Sequence, residues 1–101
     1  SNSIGYKPTP LLENAVIIDF PYPNPFNDQF SIGYRIANPT SNLMLSIYDL
    51  NGRKLFDKTI KVQRIGTARF DPQGVLVSSG TYFLNVSVNN DSRSYTIHYL
   101  K

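Results

Sequence analysis

The sequence predicts an all-β fold, an immunoglobulin-like antiparallel β-sandwich of about seven strands. Three observations support this prediction. Short runs rich in β-branched and aromatic residues recur along the 101-residue chain, and turns rich in glycine, proline and asparagine separate them. No stretch has the period of an amphipathic helix. Charged residues make up only 17% of the chain, below the roughly 25% of typical globular domains.

The first part of the chain is predicted to pass from a linker into two strands. Residues 1–13 contain two prolines and a glycine without periodicity, so we expect a loosely held arm there and a folded domain at 14–101. The compact apolar run 14–20 predicts the first strand. In 29–36 every second residue is apolar, which predicts a second strand with one face in the core.

A hairpin is predicted in the middle of the chain. The strand-like runs 43–50 and 53–62 flank the dipeptide Asn51-Gly52. Both central residues of a two-residue type I′ turn need a positive φ, and Asn-Gly is the pair that tolerates it best. The sequence therefore predicts a tight β-hairpin with a type I′ turn.

The last third of the chain predicts three further strands. A short strand is expected at 65–71, followed by an irregular connection at 72–80. Residues 81–88 alternate between apolar and polar, which predicts a half-buried strand. A tight turn at 89–92 then leads into the closing strand at 93–101.

Composition and charge limit the possible functions. Without cysteine the chain has no disulfide, no thiolate zinc site and no cysteine nucleophile. No run approaches the roughly 18–20 apolar residues of a membrane helix, so we expect no membrane insertion.

The net charge is +3, and six of the ten basic residues lie between Arg53 and Arg69. Such a cluster suits an anionic partner, such as nucleic acid or lipopolysaccharide, or lysines that keep edge strands from aggregating. Without a base-stacking or groove-reading motif, we expect edge protection and no nucleic acid.

The residues that carry chemistry argue against an enzyme. His98 is the single histidine and is predicted to lie on the surface, the seven acids are dispersed, and no nucleophile elbow is present. Calcium ligands are conceivable near Asn24, Asn27 and Asp28 or near Asn89, Asn90 and Asp91, but asparagine and aspartate are also ordinary turn residues. Exposed tyrosines stacking on sugars are a further alternative. We expect no metal and no cofactor.

Three motifs follow one another along the chain. They are YPNPFN (22–27), followed by FSIGYRI, then LSIYDLNGRKLF (45–56), then LVSSGTYFLNV (76–86), with Lys101 at the end. In this order they resemble the C-terminal sorting domains of the type IX (Por) secretion system, from about Val16 onward. The immunoglobulin-like domains of flagellar hook-cap proteins and of many extracellular enzymes share part of the pattern. The short hairpin and the end at Lys101 fit the sorting domains better.

The resemblance implies that the chain is a folded secretion signal. It implies recognition by an outer-membrane translocon, an N-terminal passenger domain, and removal by a sortase-like peptidase that cuts in or just before residues 1–15. It also implies a secreted or cell-surface protein that passes through the periplasm of a Gram-negative bacterium. The alternative is a non-catalytic structural, adhesive or carbohydrate-binding module of an extracellular enzyme.

The resemblance also transfers a set of signature residues to this chain. They are Pro23, Asn24, Pro25, Asn51, Gly52, Gly80, Tyr82 and Lys101. Most are expected to define the fold, since proline stiffens a corner and glycine permits a turn. Tyr22 and Phe26 are expected to anchor the YPNPFN corner in or over the core.

Direct recognition is expected at the last strand. At the edge of a sheet such a strand offers unpaired backbone groups, to which a partner can add a strand of its own. The candidate residues are Tyr95, Thr96, Ile97, His98, Tyr99, Leu100 and Lys101.

Overall fold

A computed structural model describes residues 15–101, in which two antiparallel sheets enclose a hydrophobic core. The strands are β1 (Val16–Ile18), β2 (Phe30–Ile36), β3 (Leu43–Tyr48), β4 (Lys54–Ile60), β5 (Ile65–Phe70), β6 (Gly80–Val88) and β7 (Asp91–Tyr99). The predicted all-β sandwich of about seven strands is confirmed. The arm predicted at 1–13 lies outside the described residues. Within them, no helix has the length and apolarity that crossing a membrane requires.

The strand order places four strands at sheet edges. One sheet has the order β1-β2-β5 and the other β4-β3-β6-β7. All neighbouring strands run antiparallel. The edges are therefore β1 and β5 in the smaller sheet and β4 and β7 in the larger one. Rings of β4 and β5 are in contact, with 5.2 Å between the centroids of Phe56 and Phe70, so these two edges lie on the same side of the sandwich.

Alternation along the strands builds the core, as the sequence pattern predicts. Every second residue of β2 and of β6 is buried. An aromatic group lies at its centre, where the Phe26 ring is 5.0 Å from that of Phe30 and 5.2 Å from that of Tyr99. The rings of Phe30 and Phe70 are also 5.2 Å apart. Because buried aromatic rings contribute large apolar areas and favourable edge contacts, this group holds the two sheets together.

The β3–β4 hairpin lies where the sequence predicts it, but its turn is of another type. Gly52 has a φ of 84°, whereas Asn51 does not have a positive φ. The Gly52 N–H donates to Asp49 O at 3.0 Å, and Asp49 Oδ1 accepts the N–H groups of Asn51 and Arg53, both at 2.9 Å. These bonds define a type I turn followed by a left-handed glycine. The type I′ prediction is wrong because the Asp49 carboxylate binds N–H groups of the turn, as aspartate does at the start of type I turns.

The left-handed asparagine lies in the β6–β7 turn instead. Asn89 has a φ of 55°, a conformation that asparagine tolerates better than most residues. Its Oδ1 accepts the N–H of Thr40 at 2.8 Å and the hydroxyl of Thr40 at 2.9 Å, and its Nδ2 donates to Asn38 O at 3.1 Å. The Asn89 side chain therefore fastens this turn to the β2–β3 connection.

Arg53 of the basic cluster lies in the β3–β4 turn, and the other five residues lie on the β4 and β5 edge strands and on the connection between them. Lys58 occupies an inward-facing position of β4, opposite the buried Leu45 of β3. An inward-pointing charge on an edge strand opposes edge-to-edge pairing with another molecule. This placement of Lys58 is the one that edge protection requires.

Candidate recognition surface

The proline corner, residues 22–27, lies along the outer edge of β7. Its Phe26 N–H donates to His98 O at 2.9 Å, and the Leu100 N–H donates to Phe26 O at 2.8 Å. Both X–Pro bonds of the corner are cis. Phe26 is buried as expected, but Tyr22 is 78% exposed, because its backbone pairs with Ser31 and directs its ring outward. The corner thus adds a short parallel bridge to the larger sheet.

The side chain of Asn24 extends this pairing. Its Nδ2 donates to Thr96 O, and its Oδ1 accepts the N–H of His98, both at 2.9 Å. A primary amide has one acceptor and two donors, so it can bind a strand edge as a peptide group does. Asn24 therefore stands in for a backbone peptide of a neighbouring strand.

The outer edge of β7 is consequently occupied over its last part. Thr96, His98 and Leu100 all bind the proline corner through their backbones. The prediction that the last strand offers unpaired backbone groups is wrong for this stretch, because the corner takes them. A partner strand reaches it only by displacing the corner. Recognition at Tyr95–Lys101 stays a prediction.

Removal of the Asn24 amide should loosen the corner. We expect Asn24→Ala to lower the free energy of unfolding by about 1–2 kcal/mol, since two hydrogen bonds are lost and a backbone N–H and C=O are left to solvent. The exposed Asn27 offers a matched control, and Asn27→Ala should change this free energy by less than about 0.5 kcal/mol. Denaturant unfolding measures both. Equal values for the two variants would show that Asn24 does not hold the corner.

Lys101 is fastened to the loop that precedes β6. Its N–H donates to Ser79 Oγ at 2.7 Å, and its Nζ donates to Val77 O at 2.9 Å. From the other side, the hydroxyl of Tyr82 donates to Ser78 O at 2.7 Å. Residues 77–79 are therefore held between the core and the chain that follows β7.

Two depressions flank this loop. The first has a volume of about 450 Å³ and is lined by Asn27, Asp28, Asp71, Pro72, Gln73, Gly74, Leu76, Val77, Tyr99 and Lys101. The second, of about 380 Å³, is lined by Asp49, Arg53, Leu55, Val75, Leu76, Val77, Ser78 and Tyr82. Val77 borders both depressions and is 75% exposed.

The predicted signature residues fall into two neighbouring groups. Three of them lie next to the loop: Gly80, Tyr82 and Lys101. Asn51 and Gly52 lie in the β3–β4 turn, whose residues Asp49 and Arg53 line the second depression. Pro23, Asn24 and Pro25 lie farther along β7, although Asn27 of the same corner borders the first depression. We call residues 76–80, the turn residues 49–53, Asn27 and Lys101 the signature end.

The chemical groups at this end do not form a recognisable catalytic set. Asp28 and Asp71, far apart in sequence, border one depression, because the pairing of Phe30 with Phe70 brings their chains together. Asp71 Oδ1 accepts the N–H of Gln73 at 2.9 Å. Within residues 15–101, no group of three or more His, Cys, Asp or Glu is arranged to hold a metal ion.

The single histidine and the second calcium candidate have structural partners. His98 is exposed as predicted, with its Nδ1 3.1 Å from Thr81 Oγ1. In the turn 89–92, the Asn89 amide is engaged with Thr40 and Asn38. The Asp91 carboxylate lies 3.7 Å from Arg93 Nη1, where it faces a cation of the protein itself.

Tyr95 connects β7 to β1. Its hydroxyl donates to Ile18 O at 3.3 Å, and the ring of Phe20 meets it edge-on with centroids 5.7 Å apart. Burial raises the pKa of the Tyr95 phenol above its usual 10.0. The positive charge of Arg93 opposes this rise, and the negative charge of Asp19 adds to it.

Stability at high pH should reflect this phenol. Because its pKa is raised in the folded state, its contribution to stability is complete below pH 10.0 and is lost as the pH rises through the folded-state pKa. We expect the free energy of unfolding to fall more steeply as the pH rises above 10.0 in the wild type than in Tyr95→Phe. Denaturant unfolding across a pH series measures both slopes. Parallel curves would contradict the assignment to Tyr95.

Sequence reasoning missed two residues that shape this surface. Val77 is an apolar residue in a connection rich in serine and glycine, and that contrast is the one signal of its exposed position. Asn89 takes the left-handed conformation predicted for Asn51. An Asn-Asn pair between two alternating strands was the available signal for it.

The chain matches one known protein family. Residues 21–98 match the family described as Secretion system C-terminal sorting domain. The matched range begins just before the proline corner and ends within β7, so it includes six of the seven strands in whole or in part. A search of curated proteins gave no match.

Proposed function

Because the chain belongs to the family of secretion system C-terminal sorting domains, we propose that it directs a passenger protein through the outer-membrane machinery of type IX secretion. Membership of this family implies an interaction with that secretion system and a secreted or cell-surface protein. The observation that carries the proposal is the family match across the sandwich, from the proline corner into β7.

The surface that the machinery reads is, in this proposal, the signature end. Two of its exposed side chains are apolar, Leu50 at 61% and Val77 at 75%, and they stand beside the charged Arg53 and Lys101. Exposed apolar residues ringed by polar ones are typical of protein-binding sites. Gly52 and the buried Tyr82 then serve to shape this end from within.

A sortase-like peptidase then removes the domain by cutting before the sandwich. The Ala37 N–H donates to Ala15 O at 3.0 Å, so the pairing of β1 with β2 extends to residue 15. A cut in or just before residues 1–15 would leave all seven strands on the released domain. The passenger would be the part of the protein N-terminal to the cut.

A fusion experiment tests the proposal. The chain is joined to the C-terminus of a periplasmic reporter and expressed in a bacterium with type IX machinery and in the same strain without its translocation pore. We expect the reporter outside the cell in the first strain and in the periplasm in the second. Retention in both strains, or release from both, would refute the proposal. Retention combined with polysaccharide binding by the purified domain would favour the adhesive alternative.

A further inference from the structure

The outer face of the smaller sheet carries an excess of positive charge. From Lys61 to Phe70, which leads into β5 and includes it, the chain has three basic residues and no acidic one. In residues 15–101 the ion pairs involve Arg53, Lys54 and Arg93, none of which lies in that stretch. Edge protection accounts for an inward-facing lysine such as Lys58. It does not account for arginines on the outer face.

Two arginines of this face point away from the core. Arg35 lies on β2, the central strand of the sheet. Arg69 pairs with Ser31 of β2 and is exposed, while its neighbours Ala68 and Phe70 point into the core. Both guanidinium groups therefore project from the broad face of the sheet.

Apolar and aromatic side chains accompany these arginines. The register places Ile17, Arg35 and Ile65 in one row across the three strands, and the two isoleucines are 44% and 63% exposed. A second row contains Tyr22, Ser31 and Arg69. Tyr22 is 78% exposed, so packing in the core does not account for an aromatic residue at this position.

The row between these two contains the acidic group of this face. Asp19 pairs with Gly33, which in turn faces Thr67. The Asp19 carboxylate lies over Gly33, since a Cβ added there would be 2.7 Å from Oδ2. Arg64 directly precedes Ile65 in the chain, and together with Arg35 it borders a depression of about 310 Å³. The face thus carries three arginines against one carboxylate within residues 15–101.

We propose that this face docks the domain on an anionic lipid surface. We call it the basic face and define it by Ile17, Tyr22, Arg35, Arg64, Ile65 and Arg69. Arginine binds lipid phosphates through charge-assisted hydrogen bonds, and each basic residue near an anionic membrane adds to its attraction. Isoleucine side chains enter the boundary of the acyl chains, and tyrosine is enriched at that depth. A soluble polyanion would use the arginines but would leave the isoleucines without a role.

Vesicle binding tests the proposal with the whole chain, and the proposal does not depend on the sorting function. The probes are phosphatidylcholine vesicles with and without phosphatidylglycerol, and dextran sulfate as a soluble polyanion. We expect binding to the phosphatidylglycerol vesicles that weakens as salt is added. Arg35→Gln and Arg64→Gln should each lower the vesicle partition coefficient roughly fivefold. Lys54→Gln removes the same charge from β4 of the larger sheet and should lower it less than about twofold.

The role of the isoleucines separates lipid from soluble polyanions. Ile65→Ser should lower vesicle binding and leave dextran sulfate binding unchanged, while Val77→Ser at the signature end should change neither. Circular dichroism confirms that each variant is folded. The proposal is overturned if the chain does not bind anionic vesicles or if Lys54→Gln is as damaging as Arg64→Gln. It is also overturned if Ile65→Ser has no effect on vesicle binding.

Discussion

Replacement of Phe26 by alanine is expected to lower the free energy of unfolding by about 3–5 kcal/mol, the usual result of emptying a buried aromatic site. Phe26 is 1% exposed, and its ring contacts those of Phe30 and Tyr99. Its backbone also holds the proline corner to β7. Because small domains have only about 5–15 kcal/mol of stability in total, this variant should be partly unfolded under mild conditions and should lose its export signal.

Phe20 provides the control for this prediction. It is the same residue type, lies two residues before the proline corner and is 81% exposed. We expect Phe20→Ala to change the free energy of unfolding by less than about 1 kcal/mol, because it loses only the edge contact with Tyr95. Guanidinium unfolding measures the two variants side by side. A loss of less than about 2 kcal/mol for Phe26→Ala would mean that the corner is not anchored through this ring.

The second large effect is expected at Gly66, where alanine should cost about 1–3 kcal/mol through overpacking. Gly66 pairs with Tyr34 on the inner face of the smaller sheet, and the Tyr34 ring lies across it. A Cβ at this position would meet the Tyr34 hydroxyl and would lie 2.6 Å from Cζ. Tyr34 is 7% exposed and accepts the N–H of Gln63 at 3.4 Å, so its ring has little room to move.

Gly33 on the neighbouring strand is the matched control. A Cβ there would meet Asp19 Oδ2 at 2.7 Å, but the Asp19 side chain is exposed and can turn aside. Alanine is also favoured over glycine in a strand by roughly 0.5–1 kcal/mol. We therefore expect Gly33→Ala to be neutral or slightly stabilising. Thermal unfolding that ranks Gly33→Ala below Gly66→Ala in stability would reverse this account of the two glycines.

Alternation alone predicts much of the fold. The period of two in Phe30–Ile36 and Gly80–Val88 specifies both the strands and their buried faces. The Asn51-Gly52 dipeptide places the β3–β4 hairpin correctly. It does not specify the turn type, because that depends on the Asp49 carboxylate, which a dipeptide signal leaves out.

The signature end could be predicted only in part, since it depends on contacts between distant segments. The spacing of the motifs indicates which residues matter, but not that Lys101 binds the loop carrying Val77. Nor does the sequence show that Asn24 covers the edge of β7, a contact over 72 residues to Thr96. The family match independently supports the sorting function, while the choice of surface depends on these long-range contacts.

The most direct measurement of the central claim is the exported fraction of the reporter fusion carrying a charge at the signature end. Val77→Asp places a carboxylate at an exposed apolar site between the two depressions, and Phe20→Asp does the same at an equally exposed site beside β7. Because a charge in an apolar interface site commonly weakens binding by a factor of about ten or more, we expect Val77→Asp to lower export at least tenfold. Phe20→Asp should export like the wild type. Wild-type export by a folded Val77→Asp fusion, or a larger loss for Phe20→Asp, would contradict recognition at the signature end.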